Sequence, residues 1–264
     1  MTVEVIEKPL YKHKTMSYLG LSEDHTAYII GNGTSRQGLD LNALTGDIWG
    51  CNALFRDYIP DYLTIVDVSI MGECCESRYP KLNKCYFSGE WDNPLGFEEY
   101  NIIKETMGVP VREWIDPSHS KVTMHGKGNG NVGILEMQAI GIEDDYKISK
   151  ICGPEHDYHL FENWFAGTTA AAMASMNHDY DNVVFVGFDS VWNYDTTKYN
   201  NIYAGTRCYG TEDEPENNRL VETGDQGWIS QTDQLKILVD TFQNIDYYIM
   251  KDELSVEPLG IHLF

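Results

Sequence analysis

The stretch Tyr28-Ile29-Ile30-Gly31-Asn32-Gly33-Thr34-Ser35-Arg36 decides the fold of this 264-residue chain. An apolar run that breaks into Gly-Asn-Gly-Thr-Ser reads as a buried strand delivering a tight polar turn. Glycines there let a ligand's phosphates approach the backbone, while exposed N–H groups and the Thr34 and Ser35 hydroxyls offer donors to an anion. Taken alone, such a turn reads more readily as a surface loop. A second strand and turn of matching character, Ile48-Trp49-Gly50-Cys51-Asn52-Ala53, follows soon after. Two such turns at the ends of neighbouring strands make one crevice, where open α/β sheets bind nucleotides.

Working outward, continuous apolar runs predict further strands at Tyr62–Val66, Val183–Val186 and Tyr247–Met250, with a short one at Lys84–Phe87. Phe165 to His178 carries a glycine and two threonines opening a run of alanines, which predicts a helix that packs closely on a sheet. Thr168 or Thr169 caps its start and leaves N–H groups for an anion. Helical spacing also marks 96–107 and 226–238, whereas the four glycines between His125 and Gly133 predict a loop suited to a lid. The fold class expected is therefore α/β: a Rossmann-like, mostly parallel sheet flanked by helices, with a small irregular lobe or lid. One domain over 1–264 is expected, with an inserted lid or lobe around 68–160 and a second irregular segment around 190–225.

Composition sets the limits. The formal net charge of −22 disfavours passive binding to a nucleic-acid backbone, which needs clustered Lys and Arg. An anionic nucleotide then requires a local positive pocket, helix N-termini or a divalent cation, and Arg36 is the nearest basic residue. The six cysteines form no C-x-x-C pair and no regular framework, so neither a zinc ribbon nor a secreted disulfide scaffold is implied. Without an apolar run of about eighteen residues or a signal-peptide pattern, the chain reads as soluble and cytoplasmic, in a host cytoplasm if it is viral.

Asp67 and Asp189 stand at the C-terminal ends of predicted strands, where a sheet presents catalytic groups. Either suits a general base or a ligand to Mg or Mn, although capping the following segment is an ordinary use of Asp189. Glu155-His156-Asp157-Tyr158-His159 offers two histidines that share a face if the segment is helical, with His156 a candidate base. No metal-ligand spacing accompanies them. Lys127 in His125-Gly126-Lys127-Gly128 lacks the P-loop spacing. Trp192, Tyr194, Tyr199, Tyr203 and Tyr209 provide aromatic faces for stacking, or the packing of a small lobe.

The ordered set Gly31-Asn32-Gly33-Thr34-Ser35, Gly50-Cys51-Asn52, Pro60 to Asp67, Gly167-Thr168-Thr169 and Val186-Gly187-Phe188-Asp189 resembles a superfamily. It contains the family 42 sialyltransferases, the archaeal-type 6-hydroxymethylpterin diphosphokinases and many phage and bacterial proteins, the phage group looking most similar through Asn200 to Thr206 and Trp228 to Gln231. The resemblance implies nucleotide contacts from Asn32 and Asn52, flanked by Gly167, Thr168 and Thr169. It implies a transferase using a nucleotide-activated donor, most plausibly a sugar nucleotide. Asp67 resembles the diphosphokinase branch, and so points to ATP-dependent diphosphoryl transfer as an alternative. The sialyltransferases place a histidine base downstream of the Gly-x-Asp strand, whereas the only histidine after Asp189 here is His262. A non-enzymatic protein on a nucleotide-binding fold, a virion or interaction component, is the third expectation.

Overall fold

The structure, a computed structural model, describes residues 21, 25–88, 90–92, 121–123, 132–137, 148–152, 157–161, 164–176, 180–192, 200–210, 231–252 and 255–263. The opening apolar run forms β1 (Thr26–Ile30), all five residues buried. On one side of it stand β2 (Asp47–Cys51), β3 (Tyr62–Ile65), β4 (Cys85–Ser88) and β7 (Val132–Met137), and on the other β10 (Asn182–Val186) and β11 (Asp246–Asp252), all parallel. Antiparallel strands finish both edges: β12 (Ser255–Pro258) beside β11, then β8 (Ile148–Cys152) and β9 (Asp157–Phe161) beyond β7. The order is β12-β11-β10-β1-β2-β3-β4-β7-β8-β9, and β5 (Glu90–Asp92) pairs separately with β6 (Lys121–Thr123). The expected mostly parallel α/β sheet is thus present. Strand order reverses between β1 and β10, the switch point beside which open α/β sheets bind their ligands.

Alternation along the strands supplies two buried faces. Tyr28, Ile30, Ile48, Ile65, Val184 and Val186 pack with α1 (Val68–Glu76) through Ile70, Met71 and Cys74. Ala27, Ile29, Trp49, Val183 and Phe185 pack on the other face with α2 (Ala166–Met176) and, outside it, α4 (Gln231–Thr241) through Leu235 and Leu238. The short α3 (Asp189–Trp192) and α5 (Gly260–Leu263) complete the helices described. Because α2 lies between sheet and helix, every residue from Ala166 to Ser175 is buried. Its alanines allow that close approach, and a Leu at Ala171 or Ala172 would overpack the layer at a cost of about 1–3 kcal/mol.

Two local expectations change. Val132 and Gly133 belong to β7 rather than a loop, with Gly133 held opposite Tyr86 in the parallel ladder. Pairing with β4 overrides the glycine signal. Asp157–Phe161 is a strand paired with β8, so His159 has no helical face to share with His156. Within 68–160, β4 and β7 to β9 extend the main sheet. The predicted helix at 96–107, His156 and the lid residues 125–131 lie outside the described residues. Among the described residues, no helix is long and apolar enough to cross a membrane.

Candidate functional site

Beyond Ile30 the β1–β10 ladder continues: Gly31 N–H donates to Val186 O (2.7 Å) and Gly33 N–H to Gly187 O (2.9 Å). Gly187 then turns with φ +72°, a left-handed geometry that favours glycine, and so brings Asp189 back over the β1 turn. There the carboxylate collects the turn's donors. Ser35 donates its N–H to Oδ2 (2.9 Å) and its hydroxyl to Oδ1, and the Thr34 hydroxyl lies 3.3 Å from Oδ2. Asn200 Oδ1 accepts the Thr34 N–H (2.9 Å) and the Thr34 hydroxyl (2.8 Å). Asp189 is only 4% exposed. The place where the sequence offers donors to a ligand anion therefore holds the protein's own carboxylate. Gly33 has the same cause, since a Cβ there would stand 2.6 Å from both Asp189 Oδ1 and Gly187 O.

Asparagines follow both neighbouring strands. Asn32 donates Nδ2–H to the Tyr209 hydroxyl (3.2 Å), and its buried Oδ1 has no hydrogen-bond partner among the described residues. Asn52 sits just past β2 with φ +47°, a backbone that asparagine tolerates better than most residues. Its Nδ2 donates to Asp67 Oδ2 (2.7 Å) and its buried Oδ1 has no partner among the described residues. The carboxylate fixes that orientation, because turning the amide over would set oxygen against oxygen. Asp67 precedes α1 and is exposed, with its side chain directed to Asn52 rather than to the helix start. Two adjacent strand ends thus each present a buried amide oxygen awaiting a donor. Such atoms are rare in native proteins and call for a water or a ligand.

Two arginines stand here, and both are engaged. Arg36, 6% exposed, donates to the Tyr203 hydroxyl (2.8 Å), stands 3.8 Å from Asp57, and faces the Tyr203 ring at 5.6 Å. Its Nε has no hydrogen-bond partner among the described residues. The Tyr203 hydroxyl donates to Asp57 (2.6 Å), and burial foremost pushes that phenol well above its ordinary range. Arg56 grips Glu73 through Nε (2.8 Å) and Nη2 (2.6 Å), and the hydrogen bond to Glu73 raises its already high pKa. Between the strand ends, the Cys51 thiol donates to Ile30 O (3.2 Å) and burial pushes it up to about 12, so it stays a neutral thiol.

The α2 start goes elsewhere. Thr168 is fully buried and its hydroxyl contacts Phe165 O (3.0 Å) and the Gln234 side chain of α4, which also accepts the Phe165 N–H (3.2 Å). Thr169 N–H returns to Phe165 O (2.8 Å), and Gly167 lies against the Phe188 ring. The structure therefore gathers Gly31, Asn32, Gly33, Thr34, Ser35, Asn52, Asp67 and Asp189 at one edge, while Thr168 and Thr169 are tied into the α2–α4 layer. Thr168, expected to flank the two asparagines, directs its hydroxyl to Phe165 O and the Gln234 side chain. Among the described residues, no cluster of three or more His, Cys, Asp or Glu side chains could hold a metal ion. Sequence reading gave no site role to Asn200 or Arg56, which reach Thr34 and Thr206 across 166 and 150 residues.

In comparisons with known proteins, no family model, curated protein or solved structure matches the chain.

Proposed function

We propose that the chain is a transferase that takes a nucleotide-activated donor, a sugar nucleotide, at the edge formed by Asn32, Asn52 and Asp67. One observation carries this reading: two buried amide oxygens without partners, Asn32 Oδ1 and Asn52 Oδ1, stand at neighbouring strand ends beside the switch point. Ribose hydroxyls and base amino groups are the donors such oxygens accept. Asp67, exposed and held by Asn52, serves as the base that takes the acceptor hydroxyl's proton. Mg or Mn fits an oxygen-rich edge of this kind when one or two protein oxygens are joined by substrate phosphates, and it would offset the charge of the leaving phosphate. The kinship with the sialyltransferase and diphosphokinase superfamily is part of the same proposal and rests on the order of the quoted motifs.

Thermal-shift and calorimetric titration with CMP-, UDP- and GDP-sugars and with ATP, each with and without Mg or Mn, tests the reading. A ligand at a hundred times its Kd stabilises by about 2.7 kcal/mol, which is easily read as a shift in Tm. Asn52→Ala should weaken binding, and Asp67→Asn should bind but not turn over. Absence of stabilisation by any nucleotide at millimolar concentration overturns the proposal. AMP release from ATP in the same screen would instead mark the diphosphokinase alternative.

A specific feature favours a second reading, a non-enzymatic role on a nucleotide-binding fold. The donors of the β1 turn are already satisfied by Asp189 and Asn200. That reading predicts no ligand response even after Asn200→Ala frees the Thr34 donors.

A further inference from the structure

Residues 200–210 lie across the carboxyl ends of β1 and β2, and they fold on themselves. Ala204 N–H bonds to Asn201 O (3.0 Å), Thr206 to Tyr203 O (3.0 Å), Tyr209 to Thr206 O (3.1 Å) and Gly205 to Gly210 O (2.7 Å). Among the described residues a single backbone hydrogen bond ties this unit to the sheet, Ile202 N–H to Asn32 O (2.9 Å). Side chains make the remaining attachments. Asn200 Oδ1 takes both Thr34 donors, the Tyr209 hydroxyl takes Asn32 Nδ2–H, and the Tyr203 hydroxyl takes Arg36. Arg56 donates to Thr206 Oγ1 (2.7 Å) and Arg207 O (2.7 Å), and its guanidinium faces the rings of Tyr203 and Tyr209, each at 5.4 Å. Arg207 closes the far side on Glu76 of α1 (2.6 Å).

We propose that residues 200–210 are an autoinhibitory strap, which competes with ligand for the donors of the β1 turn and must lift before the edge can be filled. The inference rests on the reading of the Asn32–Asn52 edge as a binding site. Its physical basis is shared donors. The Thr34 N–H and hydroxyl, Asn32 Nδ2–H and Arg36 Nη2 are groups that an anionic ligand would use, and the closed strap accepts from each of them. Closure and occupancy are therefore alternatives, and the apparent affinity is the intrinsic one reduced by the fraction of molecules with the strap open. The unit has its own internal hydrogen bonds and one backbone tie, so opening must lift chiefly the buried Tyr203 ring, which packs in the same cluster as Tyr28 and Ile30, with Ile202 and Tyr209 beside it, while the strand ladder beneath stays paired.

Amide exchange read residue by residue by NMR tests the strap without any ligand. In Asn200→Ala, which loses the acceptor on Thr34 and leaves no charge behind, the Ile202 amide should exchange about five- to tenfold faster, the effect of one net hydrogen bond, while Ile29 and Ile30 in β1 stay unchanged. Arg56→Gln, which loosens the opposite end, should accelerate the Ile202 and Gly205 amides further, again without moving β1. Exchange of the strap amides only together with β1, in the wild-type protein and both variants, overturns the proposal. Titration with the nucleotide panel gives the second arm: tighter binding to Asn200→Ala by a similar factor supports competition, and equal affinity overturns it. If neither protein binds any nucleotide, the reading of the edge as a nucleotide site fails, and the exchange result still decides whether the strap opens by itself.

Discussion

Replacing Gly33 with alanine separates a glycine kept for a ligand from one kept for the fold. The added Cβ would meet Asp189 Oδ1 and Gly187 O at 2.6 Å and Asp189 Cγ at 2.7 Å, well inside ordinary contact. The backbone itself takes no strain, because Gly33 has φ −62° and ψ 150°, an extended geometry open to any residue. The cost therefore comes from what must move. Gly187 O is backbone and accepts Gly33 N–H, so relief on that side opens the β1–β10 ladder. Relief on the other side swings the Asp189 carboxylate away from the Ser35 N–H and hydroxyl, charge-assisted bonds worth about 1.5–3 kcal/mol each. Overpacking alone costs about 1–3 kcal/mol, so Gly33→Ala should lose roughly 3–5 kcal/mol, a large share of a typical domain's stability. Urea denaturation should show a lower midpoint with an unchanged m-value. In the double variant with Asp189→Ala, the loss should fall short of the sum of the two single losses, because both act on one contact. A Gly33→Ala protein within about 0.5 kcal/mol of wild type would refute the argument and return the glycine to a purely ligand-binding role.

Alkaline pH should weaken the fold. Burial holds Cys51, Tyr58 and Tyr247 each up at about 12, so between their ordinary ranges and 12 the unfolded chain carries fewer protons than the native one. Stability then falls as pH rises from about 8.5, by up to about 1.4 kcal/mol per pH unit for each group, and a urea midpoint constant from pH 8 to 11 would refute it. Brief treatment with a thiol reagent should modify the exposed Cys208 and spare Cys51, Cys74, Cys75 and Cys85, as peptide mapping would reveal. Tyr180→Phe removes the hydroxyl that accepts from Trp49 Nε1 (3.3 Å) and donates to Asp47, and should cost about 1–3 kcal/mol in the same denaturation assay.

Much of the sheet was legible because its strands are continuous apolar runs with no competing pattern. Thr26–Ile30, Asp47–Cys51 and Asn182–Val186 fall within a residue of the runs read from sequence. Legibility fails where pairing decides. Gly133 carries a loop signal, yet it lies in a strand because β4 supplies its partner, and β9 became an edge strand through β8. The α1 helix, Val68–Glu76, was missed because its nine residues mix Gly72, Glu73 and two cysteines into the apolar pattern.

At the site, residue type and position along each strand came from the chain itself: which residues end β1, β2, β3 and β10, and that these ends carry glycine, asparagine and aspartate. Which group answers which came only with the fold. A Gly-Asn-Gly-Thr-Ser turn attracts an anion whatever its source, and hydrogen-bond donors do not distinguish a phosphate from a carboxylate folded in from 154 residues away. Likewise a threonine at a helix start is equally suited to a ligand and to Gln234. Local sequence fixes the chemistry that a side chain can offer, but the partner is chosen by contacts between distant segments, whose geometry exists only once the sheet has closed around them.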